Sequence, residues 1–290
     1  MSRIVVLGDI NLDVLARVPG ALPTEGEVRT EIGVEAGGSA ANFARCAAGM
    51  GASVEFVGCI GDDVTGAILA ESLRSSGVTP HLQQVTGNSG TVVSLARPDG
   101  RTFLCSRGAN DGLSPAWLKD EWFTDADHLH LSGYAFLSPR QRQVAMRALA
   151  LARMQGLTIS IDPPPANLIA SLGPKVFLDM IGDVDVLFPN LVEGQELTGE
   201  TPDEKIVEVL SARFACGVLT LGENGSLAWR GDKRIRHSVT GIEDVDPTGA
   251  GDAFAAAFVV TYLDSGDLDL AGQRGTAAAA TMLRERAGKN

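Results

Sequence analysis

Aromatic residues make up only 5% of this 290-residue chain, too few for a base-stacking platform on single-stranded nucleic acid. Positive charge is scarce as well. The 24 Lys and Arg stand against 36 Asp and Glu, giving a formal net charge of −12 with no long basic run. Nucleic acid is therefore not an expected partner, because such binding depends on clustered cations against phosphates. No stretch approaches the roughly 20 consecutive apolar residues of a membrane span, so no membrane partner is expected either. Cysteine is limited to Cys46, Cys59, Cys105 and Cys216, with no Cys-x-x-Cys spacing, which indicates neither a zinc site nor a disulfide framework. They read as small core residues in a reducing compartment. Met1 to Gly8 run directly into a β-rich stretch without the apolar region of a secretory signal, so a cytoplasmic protein is expected. The histidines His81, His128, His130 and His237 lack metal-ligand spacing.

Several motifs are missing too. There is no Gly-x-x-x-x-Gly-Lys-[Ser/Thr] phosphate loop and no Gly-x-Ser-x-Gly nucleophile elbow. The run Gly249-Ala250-Gly251 departs from a dinucleotide fingerprint: Phe254 stands at its third small position, and it lies far from the first strand.

What is present is 44% hydrophobic residues, enough for a sizeable core, in a pattern of alternating strands and helices. Strands are expected at Arg3 to Gly8, Val54 to Ile60, Asp127 to Leu131, Leu157 to Ile161, Val184 to Phe188 and Val218 to Leu221. Helices are expected at Phe43 to Met50, Thr65 to Ser76 and Pro139 to Gln155. This rhythm predicts an α/β fold, a mainly parallel sheet with helices on both faces, whose ligands collect beyond the carboxyl ends of the strands. Polar residues and glycines recur at those ends. Alternating stretches near Asn11 and at Val28 to Val34, with a hairpin around Arg97-Pro98-Asp99-Gly100, read as a small sheet covering a cleft.

Several stretches carry chemistry, each with a plainer alternative. Asn11 and Asp13 share one face of an alternating stretch, either a solvated edge or a cleft floor that accepts hydrogen bonds from polyol hydroxyls. The paired glycines before Asn42, Gly37-Gly38-Ser39-Ala40-Ala41, admit a ligand close to the backbone or simply open a helix. Arg107 either meets substrate or is solvated. Asn190 and Glu193, three apart at a helix start, form either a capping box or a site for hydrated Mg²⁺. Thr220 to Gly225, with Gly222, is either a bare turn or a place where a nucleotide approaches the backbone. Gly249-Ala250-Gly251-Asp252 opens an Ala-rich apolar run. It reads as a capped glycine turn, or as a phosphate cradle with a carboxylate base beside it.

Together and in this order, these residues resemble the ribokinase-like (PfkB) family of carbohydrate kinases over nearly the whole chain. Gly37-Gly38-Ser39-Ala40-Ala41-Asn42 resembles the family's N-terminal signature and Asp246-Pro247-Thr248-Gly249-Ala250-Gly251-Asp252-Ala253-Phe254 its C-terminal one. The resemblance implies a single domain over residues 1–290, a ribokinase-like αβα sandwich with lid segments near 11–34 and 90–106. It implies transfer of the γ-phosphoryl group of ATP to a primary hydroxyl of a sugar or sugar-like molecule. Asp252 would be the general base, and Gly249, Ala250 and Gly251 the anion hole. Asn11, Asp13, Gly38, Ser39, Asn42 and Arg107 would face the acceptor. Asn190, Thr220, Gly222, Gly225 and the neighbourhood of Ala277 would face the nucleotide. Asn190 and Glu193 would organise Mg²⁺ through water, Asp246 and Thr248 match residues near a monovalent-cation (K⁺) site, and lid segments imply a homodimer. Ribokinases carry Lys where this chain has Ser39, and Glu where it reads Leu131-Ser132-Gly133. The acceptor therefore stays open between a sugar, an acidic sugar and a nucleoside of the ribonucleoside or pseudouridine type. The other alternative is a non-catalytic sugar-binding regulator of the same fold.

Overall fold

The computed structural model describes residues 1–98, 100–239 and 248–288, the last two of them by backbone alone. Thirteen strands are described. They are β1 (Arg3–Leu7), β2 (Asn11–Arg17), β3 (Ile32–Gly37), β4 (Ser53–Gly61), β5 (Thr79–Val85), β6 (Gly90–Arg97) and β7 (Gly100–Ser106). After these come β8 (His128–Ser132), β9 (Thr158–Asp162), β10 (Val186–Leu187), β11 (Cys216–Thr220), β12 (Ser226–Arg230) and β13 (Lys233–His237). The helices are α1 (Ser39–Gly49), α2 (Val64–Ser75), α3 (Pro139–Gln155), α4 (Ala166–Leu172) and α5 (Pro174–Ile181). They continue with α6 (Leu191–Thr198), α7 (Asp203–Ser211), α8 (Ala250–Ser265) and α9 (Leu268–Gly288).

Nine strands form one sheet in the order β13-β12-β11-β10-β9-β8-β1-β4-β5. From β11 to β5 all neighbours are parallel, and the β12–β13 hairpin adds an antiparallel edge. Parallel strands are covered on both faces, and β1 shows how. Val5 and Leu7 enter one core with α3, Phe177 of α5 and Ile206 of α7, while Ile4 and Val6 enter a second core with α1, α2 and α8. The result is the expected three-layer αβα arrangement. Local signals set the helix ends: Ser138 caps α3 by accepting from the Gln141 N–H, Pro139 occupies its first turn, and Gly156 closes it at φ 72°. Asp63 caps α2 in the same way, accepting from Gly66 N at 2.8 Å.

Chain order reverses between β1 and β8: the sheet grows from β1 through β4 one way and through β8 the other. A crevice opens at such a switch point. There the chain leaves β1 through Asp9 and Ile10 and enters a separate four-stranded sheet, β3-β2-β6-β7. In it β2 pairs antiparallel with β3 and parallel with β6, and β6 and β7 form the expected hairpin. Its first strand pair is shifted from expectation, with β3 at Ile32–Gly37 in place of Val28 to Val34. Asn11 and Asp13 lie on the face toward the core. On the other face Val34, Val14, Val93 and Leu104 form one row across all four strands, with Val34 61% and Leu104 56% exposed. Among the described residues, no helix is long and apolar enough to cross a membrane.

Candidate active site

The crevice floor is built from the turn after β1. Asp9, Asn11 and Asp13 are all buried, and Asn11 donates from Nδ2 to Asp9 Oδ2 at 3.1 Å. Asn11 Oδ1 accepts from Asn110 Nδ2 at 2.8 Å. Asn110 also grips the backbone of Ile10, accepting from its N–H at 3.0 Å and donating to its carbonyl at 3.2 Å. One oxygen of Asp9 and one of Asp13 find no hydrogen-bond partner, leaving buried acceptors for a ligand's donors. Burial, aided by Glu35 and Asp9, pushes the Asp13 carboxyl up to about 7. The glycine pair supplies the room. A Cβ on Gly37 would lie 2.0 Å from Asp13 Oδ2, and one on Gly38 (φ 97°) would lie 2.6 Å from the Asp9 carbonyl.

Helix α1 starts against this floor and faces α8. Asn42, in the first turn of α1, donates from Nδ2 to Asp252 Oδ2 at 2.8 Å, and Ser39 lies near enough to the same carboxylate to favour its charged form. Asp252 is buried in the first turn of α8, directly after Gly249, whose φ of 83° turns the chain into the helix. Burial raises its carboxyl to about 6 against the opposing pull of Asn42 and Ser39. A group near that value is largely ionised at neutral pH and still basic enough to take a proton.

Beyond α8 lies a pocket of about 280 Å³ lined by Asn190, Thr220, Gly222, Gly225, Ala250 and Gly251, and from α9 by Thr276, Ala279, Ala280 and Leu283. Asn190, Glu193, Thr220 and Gly222 also line a neighbouring cavity of about 650 Å³. Ala277 is exposed and does not line the pocket; its helix neighbours do. Asn190 and Glu193 form a full capping box, each backbone N–H reaching the other side chain at 2.9 Å. That arrangement engages a single oxygen of Glu193, whose carboxyl burial pushes up to about 8. Among the described residues no three His, Cys, Asp or Glu form a metal cage. This donor set fits Mg²⁺, which is held by one or two carboxylates with water and phosphate oxygens. Thr248 stands in the turn before Gly249, while Asp246 lies outside the described residues. Arg107 is held by protein partners, Asp111 at 3.0 Å and Gln141 at 2.6 Å, with Tyr134 beneath it.

A family model described as pfkB family carbohydrate kinase matches residues 1–290. The chain belongs to this family. The kinase is 31% identical over 283 residues to an ATP-dependent ribose-1-phosphate kinase of Halopiger xanaduensis, covering 93% of this chain and 88% of that one. It is 28% identical over 300 residues to a ribokinase of Haemophilus influenzae, covering 98% and 93%. Among solved structures, adenosine kinase from Sinorhizobium meliloti superposes with a TM-score of 0.87 at 23% identity over 98% of this chain and 94% of that one. A structure named for a ribokinase II from E. coli, in complex with ATP and Mg²⁺, gives 0.88 at 20% identity over 98% and 93%. The expected ribokinase-like fold and kinase class are thus both met.

Three residues of this site carried no usable signal in the sequence. Asp162 closes β9 just before Pro163 and reads as the end of a strand. Asp162 is half-buried, and desolvation, followed by the nearby charges of Glu193, Asp252 and Asp9, pushes its carboxyl well above the usual range. Arg45 and Asn110 act through partners distant in sequence or one helical turn away, which spacing does not reveal.

Proposed function

We propose that this kinase transfers the γ-phosphoryl group of ATP to a primary hydroxyl of a sugar or sugar-like acceptor, with Asp252 as general base. The observation that carries the proposal is the position of Asp252. It is a buried carboxylate in the first turn of α8, between the Asn11/Asp13 floor and the Gly251-lined pocket. The acceptor's hydroxyls donate to the unpartnered oxygens of Asp9 and Asp13, while Asn11 and Asn42 orient it. Asp252 takes the proton of the attacking hydroxyl. The backbone N–H groups of Gly249, Ala250 and Gly251, at a helix start, face the charge that develops on the transferring group. Asn190, Thr220, Gly222 and Gly225 border the nucleotide, and Asn190 and Glu193 would hold Mg²⁺ through water. When bound, Mg²⁺ would neutralise phosphate charge. Thr248, with Asp246, would belong to a K⁺ site, testable by replacing K⁺ with tetramethylammonium in the assay.

ADP release with Mg²⁺-ATP and, separately, ribose, ribose 1-phosphate, fructose and adenosine tests the reading. These acceptors are taken from the relatives' names. Ser39, standing where ribokinases carry Lys, favours an acceptor other than plain ribose. Turnover of adenosine alone would establish the nucleoside reading. Acceptor binding with no ADP release from any of them would leave a sugar-binding regulator. The apolar row Val34, Val14, Val93 and Leu104 supports a homodimer through the lid. The four cysteines, all free, suit a cytoplasmic setting.

A further inference from the structure

We propose that Arg45 is a positioning residue for this reaction, locking the Asn42 amide so that its NH₂ group faces and holds the Asp252 carboxylate. The inference rests on the reading of Asp252 as the base for its effect on turnover, but not for its effect on Asp252 itself. Arg45 Nη2 donates to Asn42 Oδ1 at 2.6 Å and to the Ala36 carbonyl at 2.8 Å. A guanidinium has only donors, so it selects the amide oxygen of Asn42. The amide nitrogen is then left on the opposite side, where it meets Asp252 Oδ2 at 2.8 Å. Without Arg45 the amide is free to turn its oxygen toward the carboxylate.

The cost of keeping Arg45 here is visible. Its Nη1 is buried without a hydrogen-bond partner, and burial lowers the guanidinium's own proton affinity. A cation retained under those conditions is not an incidental surface charge. The groups facing Asp252 are Ser39, Asn42, Arg45 and Cys46 from α1, Asp9 from the end of β1, Asp162 from the end of β9, and Glu193 from α6. Three of these are carboxyl groups. Among these groups Arg45 is the cation that offsets them, reaching Asp252 partly through space and partly through Asn42.

The test is a ¹³C-carboxyl NMR titration of the aspartates without any substrate, the Asp252 resonance assigned by its loss in Asp252→Asn. In Arg45→Met the Asp252 midpoint is expected to rise by about one pH unit or more, the size of effect an adjacent cation has on a carboxylate. Arg45→Lys, which keeps charge without the fork, is expected to fall between. With whichever of the four acceptors is turned over, Arg45→Met should lose more kcat at pH 6 than at pH 8, at unchanged KM for ATP. A folded Arg45→Met with the wild-type Asp252 midpoint and equal loss at both pH values overturns the inference. If Arg45→Met does not fold, Arg45→Gln carries the same comparison. Should Asp252→Asn stay active, the base reading falls by itself, and the NMR midpoints still decide the role of Arg45.

Discussion

Asn42 and Asp252, 210 positions apart, meet through a 2.8 Å hydrogen bond that joins the first turn of α1 to the first turn of α8. Each belongs to one of the two signature motifs, so on the proposed reading this bond is where the acceptor end and the phosphoryl end of the crevice would touch. Its carboxylate is the natural first target. Asp252→Asn keeps the shape and an oxygen for Asn42 but cannot take a proton. Turnover in ADP-release assays should fall about 10²–10⁴-fold, the usual contribution of a positioned base. A folded variant with near-normal kcat would remove Asp252 from that role.

The same group sets a pH dependence. With its carboxyl raised to about 6, Asp252 is ionised above that value and protonated below it. A base must be ionised to act, so kcat should hold above pH 7 and decline as pH drops through about 6. An acid limb near pH 4, the ordinary carboxylate range, would contradict the burial seen here.

Asp13 links function to stability. Its carboxyl is raised to about 7 in the folded protein, so between pH 4 and 7 the fold keeps a proton that the unfolded chain has released. That contribution is complete below the unfolded value and is lost as pH rises through about 7. Asp13→Asn should therefore melt like the parent at pH 4 and above it by several degrees at pH 8, while the KM for the acceptor rises. Thermal melts across that range check the first part. A Tm difference that ignores pH would sink it.

Two glycines should respond in opposite ways. Gly251 lines the pocket, and a Cβ there would meet nothing within 4 Å. Gly251→Ala should leave Tm unchanged or raise it, since Ala favours a helix by about 1 kcal/mol, yet weaken turnover with ATP. Gly38→Ala forces a side chain onto the Asp9 carbonyl at φ 97° and should lower Tm sharply. Equal melting of the two variants would contradict the packing of α1 on the crevice floor.

The apolar row across the small sheet offers a further comparison. Val34→Lys places a charge in the exposed apolar row without touching Asp13 on the other face. If the lid pairs two copies, light scattering will show a shift from dimer to monomer. A parent protein that is already monomeric at micromolar concentration removes the homodimer from the proposal.

Much of this fold could be read from local pattern because its signals are local. The Ser138-Pro139 start and Gly156 stop of α3 are enforced by backbone geometry, so its expected and observed bounds coincide. Strand β5 carries no such signal: it is an edge strand containing Pro80, His81, Gln83 and Gln84, with no apolar alternation to mark it. The register of β3 was missed for a related reason. Half of it is exposed, and pairing with β2, which no local spacing encodes, fixes where it starts. The site divides in the same manner. Glycines and carboxylates beside a helix start announce themselves. Asn110, whose partners are Ile10 and Asn11, shows its purpose only once the chain has brought 99 positions of separation to 2.8 Å. The histidines are the reverse case. His128 and His130 share a buried hydrogen-bonded cluster with Ser160, and both stay neutral through burial, as core packing requires.

Helix α9 touches both ends of the crevice. Leu283 lines the pocket beyond α8, and one turn further along, Arg286 reaches Glu35 of strand β3 at 2.7 Å. Glu35 is in turn the cross-strand partner of Asp13. On the proposed reading, a shift of α9 on binding one substrate would be carried through Arg286 and Glu35 toward the side where the other binds. Thermodynamic reciprocity then fixes the accounting: any factor by which ATP tightens the acceptor must equal the factor by which the acceptor tightens ATP.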